Sequence, residues 1–341
     1  MTQVPAFAVV SGAQVHAAVA GREEQVTRMV EAAYRLHGEG LTVNPDSYFL
    51  RFPDRPSDRI IALPASVKGD VGVHGIKWIS SFPGNVAGGI PRASAVLILN
   101  DADTGYPFAC LESSIISAAR TAASAALAAA ALADARGDRP RRVGFIGVGL
   151  IARYIHTYLA GNGFAFDELG VHDLSREHAE GFQEYLERSE KGEITIHDSA
   201  ESLIRASDLI VFATVAGEPH VHDPAWFAHG PLVLNVSLRD LSPEIILSAY
   251  NVVDDVEHCM KANTSPHLAE QKAGNRDFVA GTLYDVLTGA TTPPAGKPVV
   301  FSPFGLGVLD LAVAKYVYDQ VKSSGALHTV PDFFHELKRY G

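Results

Sequence analysis

Short apolar runs broken by Gly, Pro and Asn dominate the first third of the chain. "DRIIALPASV", "GVHGIKWISS", "RASAVLILND" and "YPFACLES" read as strands separated by turns, the pattern of an α+β domain. A strand around Phe7–Val10 precedes them and runs into a helix from about Ser11. The alanine-rich run Ser113–Ala135 predicts one long helix, stopped near Gly137, which neighbouring backbones can approach closely. Arg120, Thr121, several serines and Asp134 interrupt it, so it is not read as a membrane span.

From Arg141 the texture changes. "RRVGFIGVGLIARYIHTYLAGNGF" reads as a buried strand, a glycine turn and a helix, and "ELGVHD" as a second strand. "SREHAEGFQEYLERSE" is an amphipathic helix; "EITIHDS", "DLIVFATV", "PLVLNVS" and "NVVDDV" are further short strands, with helices such as Ser199–Ala206 between them. Strands alternating with helices predict a parallel, doubly wound sheet. "TTPPAGKP" reads as a loop and "GLGVLDLAVAKYVYDQVKSS" as a final amphipathic helix. A central nucleotide domain implies that the two chain ends combine. The expected division is therefore 1–118 with 308–341 as one domain and 119–307 as the other, a two-domain α/β chain.

Composition narrows the function. The 341 residues are 47% hydrophobic and 20% charged, as in a globular protein with a sizeable core. With 28 Lys plus Arg against 39 Asp plus Glu, the formal net charge of −11 argues against a nucleic-acid binder. Two cysteines, Cys110 and Cys259, make neither a disulfide framework nor a zinc constellation, and a reduced, cytoplasmic setting is expected. Met1–Ala20 carries no Lys or Arg, so no secretory signal is read there.

Four features carry chemistry. Gly147-Val-Gly149-Leu-Ile-Ala152 directly follows the strand Val143–Ile146 and opens a helix, the context a dinucleotide fingerprint requires. Gly147 permits the tight turn, Gly149 the approach of a pyrophosphate, and Ala152 the packing of helix on strand. Asp173 closes the second strand, where a carboxylate accepts ribose hydroxyls and repels a 2′-phosphate, favouring NAD in a Rossmann-type domain. Lys77 interrupts the apolar run Ile76–Ile79 and is either a half-exposed strand residue or a functional ammonium. Arg120 sits among alanines with nothing nearby in sequence to neutralise it; it either faces solvent or reaches a carboxylate. Asp240 follows the strand Leu232–Ser237, where an acid/base would be useful, although "DLSPE" also suits a turn or helix cap. The 14 histidines show no metal-ligand spacing, so no metal is expected.

Together these pieces resemble the ornithine cyclodeaminase and mu-crystallin family over nearly the whole chain. The landmarks are "RIIALPA", "GIKWIS", "TGYPFACLESSIISAARTAASAALAA", "GFIGVGLIA", "LNVSLRD" and "FSPFGLGVLDLAVA". "SDRIIALP", "GIKWISS" and "PRASAVLILND" are most similar to the branch that makes 2,3-diaminopropionate for siderophores and peptide antibiotics. The resemblance implies a central Rossmann-type NAD-binding domain and a substrate-binding and dimerisation domain from both chain ends. It implies a homodimer, NAD as cofactor and a small amino-acid substrate with several carboxylates, with neither nucleic acid nor membrane as partner.

The family's lysine falls on Lys77, its arginine on Arg120, its acid on Asp240 and its upstream arginine on Arg51; Arg92 stands where cyclodeaminases usually carry an uncharged residue. Cofactor contacts are expected at Thr121, Gly147, Gly149, Leu150, Ile151, Asp173, Thr214, Val215 and Ser237. Where the family often has Gly-Gly-Asp, this chain has Leu238-Arg239-Asp240. The implied reaction is NAD-dependent oxidation and hydrolysis of N-(2-amino-2-carboxyethyl)-L-glutamate to 2,3-diaminopropionate and 2-oxoglutarate. Asp240 would be the base, Lys77 would activate water or hold a carboxylate, and Arg51, Arg92 and Arg120 would bind substrate. The alternatives within the family are an ornithine cyclodeaminase, a ketimine reductase or an alanine dehydrogenase; outside catalysis, an NAD or small-ligand binding protein.

Overall fold

A computed structural model describes residues 4–337. The chain forms two compact units, 1–120 with 306–341 and 121–305. The first begins with β1 (Phe7–Val10) and α1 (Gly12–Val19), started by a capping box in which Ser11 and Gln14 satisfy each other's backbone amides. Next come α2 (Glu23–Gly38), β2 (Thr42–Val43), β3 (Tyr48–Phe52), β4 (Arg55–Val67), β5 (Val73–Ser81), β6 (Ala93–Asp101) and β7 (Pro107–Glu112). The long helix α3 (Ser114–Arg136) follows, and Gly137 stops it at φ +69°. By length and composition α3 could cross a membrane, but 72% of its apolar window is buried inside the protein, as for a core helix.

The second unit alternates strands and helices: β8 (Arg142–Ile146), α4 (Leu150–Gly161), β9 (Glu168–His172), α5 (Arg176–Leu186), β10 (Glu193–Ile196), α6 (Ala200–Ala206) and β11 (Leu209–Phe212). It continues with β12 (Leu232–Asn235), α7 (Pro243–Ser248), β13 (Tyr250–Val253), α8 (Val256–Cys259), α9 (Ser265–Ala273), β14 (Val279–Thr282), α10 (Leu283–Leu287) and β15 (Val299–Ser302). These strands form one parallel sheet ordered β10-β9-β8-β11-β12-β15-β13-β14. Every residue of β11, β12 and β15 is buried, as expected for strands covered on both faces. The order reverses between β8 and β11, so the crevice beyond their carboxyl ends is the switch point where such sheets take ligands.

The chain returns to the first unit with α11 (Gly307–Ser323) and β16 (His328–Val330). That unit's mixed sheet runs β16-β1-β7-β6-β5-β4-β2, with β3 also paired to β4. Helix α11 lies close against β5. A Cβ added to Gly75 would sit 2.3 Å from the Ile98 carbonyl and 2.8 Å from Leu311 Cδ2, so only glycine fits there. Side chains alternate across β5: Val73, Lys77 and Ser81 are buried on the α11 side, while Trp78 on the opposite face is 41% exposed.

Candidate active site

Lys77 lies in mid-strand, between Leu63 of β4 and Leu97 of β6. Its side chain is 2% exposed and does not reach solvent. Its ammonium donates to Asp310 Oδ2 at 2.7 Å and to Ser117 Oγ at 3.2 Å. Asp310, fully buried in the first turn of α11, also accepts from Arg120 Nε at 3.0 Å. Arg120 is therefore not unneutralised, as its sequence neighbours suggest; its partner stands 190 residues away. Nor does it face solvent, since only 11% of its side chain is exposed.

One carboxylate thus serves two buried cations, leaving a net positive charge. Burial, and secondarily the Arg120 charge, pulls the Lys77 pKa down to about 8 against the opposing pull of Asp310. Among the described residues no hydrogen bond reaches the terminal nitrogens of Arg120. That edge of the guanidinium can take a carboxylate bidentately.

Further arginines lie along the same sheet face. Register pairs Arg51 of β3 with Arg59 of β4, Arg59 with Ser81 of β5, and Ser81 with Ala93 of β6. Directly paired residues share a face, so Arg51, Arg59 and Ser81 form one lateral row. Arg92 joins it by donating to Ser81 Oγ at 2.7 Å, and its partial burial lowers its pKa. Arg51 is exposed and its guanidinium lies 5.0 Å from the centre of the Phe49 ring. Ser81 is four residues beyond Lys77 on the same face, about 13 Å along the strand. Arg59 belongs to this row but is absent from the sequence-based set; only the strand register reveals it.

In the second unit the fingerprint occupies the switch point. Gly147 has φ +79°, and a Cβ there would meet Thr214 N at 2.8 Å and the Ala213 carbonyl carbon at 2.9 Å. Glycine lets the turn after β8 pass close to the segment after β11. Gly149 is the N-cap of α4, no side chain caps the helix, and an added Cβ would meet nothing within 4 Å. The first amides of α4, at Leu150 and Ile151, lie beside open space, and Leu150 is 51% exposed. Asp173 follows β9 and accepts from Val148 N at 3.1 Å and Ser175 N at 2.9 Å, which fixes it beside the glycine turn. Arg176 is engaged with Glu180. A bare helix start, a side-chain-free approach and a fixed acid fit a dinucleotide. Val215 is 80% exposed, and Thr121 is half-buried on α3.

Asp240 is fully buried and accepts from two hydroxyls, Thr214 Oγ1 at 2.5 Å and Ser237. His220 Nε2 lies 2.9 Å from Asp240 Oδ1, donating or accepting according to the ring's tautomer. It is not a helix cap, because the N-cap position of α7 is Ser242. Leu238, between Ser237 and Asp240, has φ +78°, a left-handed conformation that a leucine adopts at a cost of about 1–2 kcal/mol. Arg239 turns away and donates to the Ala262 carbonyl. His220 had no sequence signal: it stands 20 residues from Asp240, in a loop beside Pro219.

Within the first unit, then, Lys77 and Arg120 are brought onto Asp310, while Arg51 and Arg92 lie further along the same sheet face. Within the second, Thr214, Ser237 and Asp240 are joined, and Gly147 packs against Thr214. Among the described residues no group of three or more His, Cys, Asp or Glu gathers as a metal site.

These features define a dinucleotide-binding α/β protein with a second unit carrying a buried lysine–aspartate–arginine cluster. Residues 8–325 match the ornithine cyclodeaminase/mu-crystallin family, and the chain belongs to it. It is 28% identical over 276 residues to N-((2S)-2-amino-2-carboxyethyl)-L-glutamate dehydrogenase of Staphylococcus aureus, covering 78% of this chain and 80% of that one. Among solved structures it is similar to CmnK at 31% identity and TM-score 0.86, covering 96% of this chain and 99% of that one. It is also similar to an archaeal alanine dehydrogenase dimer with bound NAD, at 27% identity and TM-score 0.85 over 96% and 99% of the two chains.

Proposed function

We propose that this chain is an NAD-dependent dehydrogenase that oxidises N-(2-amino-2-carboxyethyl)-L-glutamate and hydrolyses the resulting imine to 2,3-diaminopropionate and 2-oxoglutarate. The observation that carries the reading is the distribution of cations on one sheet face. The net-positive Lys77–Asp310–Arg120 cluster lies at one point, and Arg51 and Arg92 lie in the row of Ser81, which is about 13 Å along the strand from Lys77. Alanine or ornithine has a single carboxylate and no use for the second group. A substrate with three carboxylates uses both, one carboxylate at the buried cluster and the others at the more exposed arginines.

NAD supplies the hydride acceptor. The amides opening α4 hold its phosphates and Asp173 its ribose. Arg120 grips the glutamyl α-carboxylate through its two terminal nitrogens, and Lys77 supports it. Lys77, hydrogen-bonded to the Asp310 carboxylate and the Ser117 hydroxyl, is held in one position as a donor, which suits a clamp. Arg92 and Arg51 receive the distal carboxylates. The substrate's secondary ammonium must lose a proton before its α-carbon can give up hydride, and Asp240 takes it. Water then adds to the imine carbon, and the C–N bond breaks to release the ketone and the diamine.

Purified protein with NAD⁺ should reduce the cofactor at least tenfold more efficiently, by kcat/KM, with this substrate than with alanine or ornithine. Alanine as the best substrate would favour an alanine dehydrogenase, and proline from ornithine without net reduction would favour a cyclodeaminase. Asp240→Asn should bind NADH but not turn over.

The homodimer is part of the same reading. On the face of the first sheet opposite Lys77, Tyr48, Ala62, Trp78 and Val96 pair in one row, and Tyr48, Trp78 and Val96 are 77%, 41% and 43% exposed. An apolar sheet face of this kind suits a second copy of the chain. The unpaired cysteines Cys110 and Cys259 agree with a cytoplasmic setting.

A further inference from the structure

The proposed reaction releases a proton that a fully buried base cannot pass directly to water. The secondary ammonium loses H⁺ and hydride to become a protonated imine, water converts that to the ketone and a primary ammonium, and one proton is left over per turnover. Asp240, which takes that proton, has no solvent-exposed side-chain surface. Of its three side-chain partners two are hydroxyls, Thr214 and Ser237; the third, His220, is an imidazole, which can accept a proton at one ring nitrogen and release one from the other. The His220 side chain is 41% exposed.

The backbone fixes this contact from both sides. His220 N and Val221 N donate to the Asp240 carbonyl at 3.1 and 3.0 Å, and Ser242 N donates to the Val221 carbonyl at 2.9 Å. The imidazole is thereby held with Nε2 2.9 Å from Asp240 Oδ1 and the rest of the ring towards solvent. A structural tie alone would not need an imidazole here, since the three backbone bonds already join the two segments.

We propose that His220 is the proton relay between Asp240 and solvent. The O–H bond formed on Asp240 breaks as an N–H bond forms at Nε2 of the ring carrying hydrogen on Nδ1. The imidazolium then gives its Nδ1 proton to water or buffer, and solvent exchange of the half-exposed ring restores the starting tautomer before the next turnover. The inference rests on Asp240 being the proton acceptor.

The test compares wild type, His220→Gln, His220→Ala and Asp240→Asn, as NAD-supplied holoenzymes at constant pH, with and without added imidazole. Glutamine keeps a donor to Asp240 but carries no proton. Both His220 variants should lose kcat on the order of tenfold or more, with KM changed less than twofold. Imidazole should restore the alanine variant in a concentration-dependent way and leave Asp240→Asn inactive. Full activity in His220→Gln, or no imidazole rescue of His220→Ala, overturns the relay while Asp240 keeps its role. An active Asp240→Asn overturns the base assignment and the relay with it.

Discussion

Replacing Lys77 by methionine should make the protein more stable and nearly inactive. Methionine matches the lysine stem in volume and carries no charge into a site that is 2% exposed. The magnitude follows from the displaced titration: the group moves from an ordinary 10.5 to about 8, chiefly by desolvation. At 1.36 kcal/mol per pKa unit, the folded state bears about 3 kcal/mol for holding the ammonium below pH 8. The folded protein binds fewer protons than the unfolded chain between about pH 8 and 10.5, so wild-type stability from this group rises with pH across that window and is lost as pH falls through 8. Lys77→Met removes the titration, and Asp310 remains paired one-to-one with Arg120.

The variant should therefore gain about 2–3 kcal/mol at pH 7 in urea unfolding, and its advantage should vanish towards pH 10. Turnover should fall on the order of a hundredfold or more as the proposed substrate clamp is lost. Lower stability at pH 7, or an advantage unchanged with pH, would refute the claim that this lysine is held at an energetic cost for function.

Asp310→Asn does the opposite, leaving two buried cations without their anion. It should cost about 3–5 kcal/mol at pH 7 by chemical denaturation and abolish activity. Gly147→Ala forces a Cβ to within 2.8 Å of Thr214 N at positive φ, so NADH binding followed by fluorescence titration should be lost, with about 1–3 kcal/mol of stability. Trp78→Glu charges the exposed apolar face of the first sheet, and sedimentation should show a monomer if the proposed homodimer forms through that face, with wild type sedimenting as the dimer.

Periodicity and punctuation made much of this architecture legible. The alternation of strand and helix in the second unit, the helix start near Ser11, the stop at Gly137 and the glycine turn after β8 are all written in neighbouring residues. Charge partnership is not local. Asp310 sits in a helix 233 residues beyond Lys77, and nothing in "GLGVLDLA" says that its carboxylate is shared by two cations. Arg59 emerges only when register aligns it with Arg51 and Ser81. His220 stands in a loop whose path is set by backbone bonds to Asp240, so its role has no periodic signature. What the chain reveals in one dimension is which residues are costly to bury; which of them meet is decided by topology.

The central claim is tested most directly with N-(2-amino-2-carboxyethyl)-L-glutamate bearing deuterium on the glutamyl α-carbon, incubated with purified protein and NAD⁺ and followed by product mass. The account predicts one deuterium in the reduced cofactor, with 2-oxoglutarate and 2,3-diaminopropionate formed in equal amounts to it. Deuterium retained in the organic product, or cofactor reduction without 2-oxoglutarate, would contradict it.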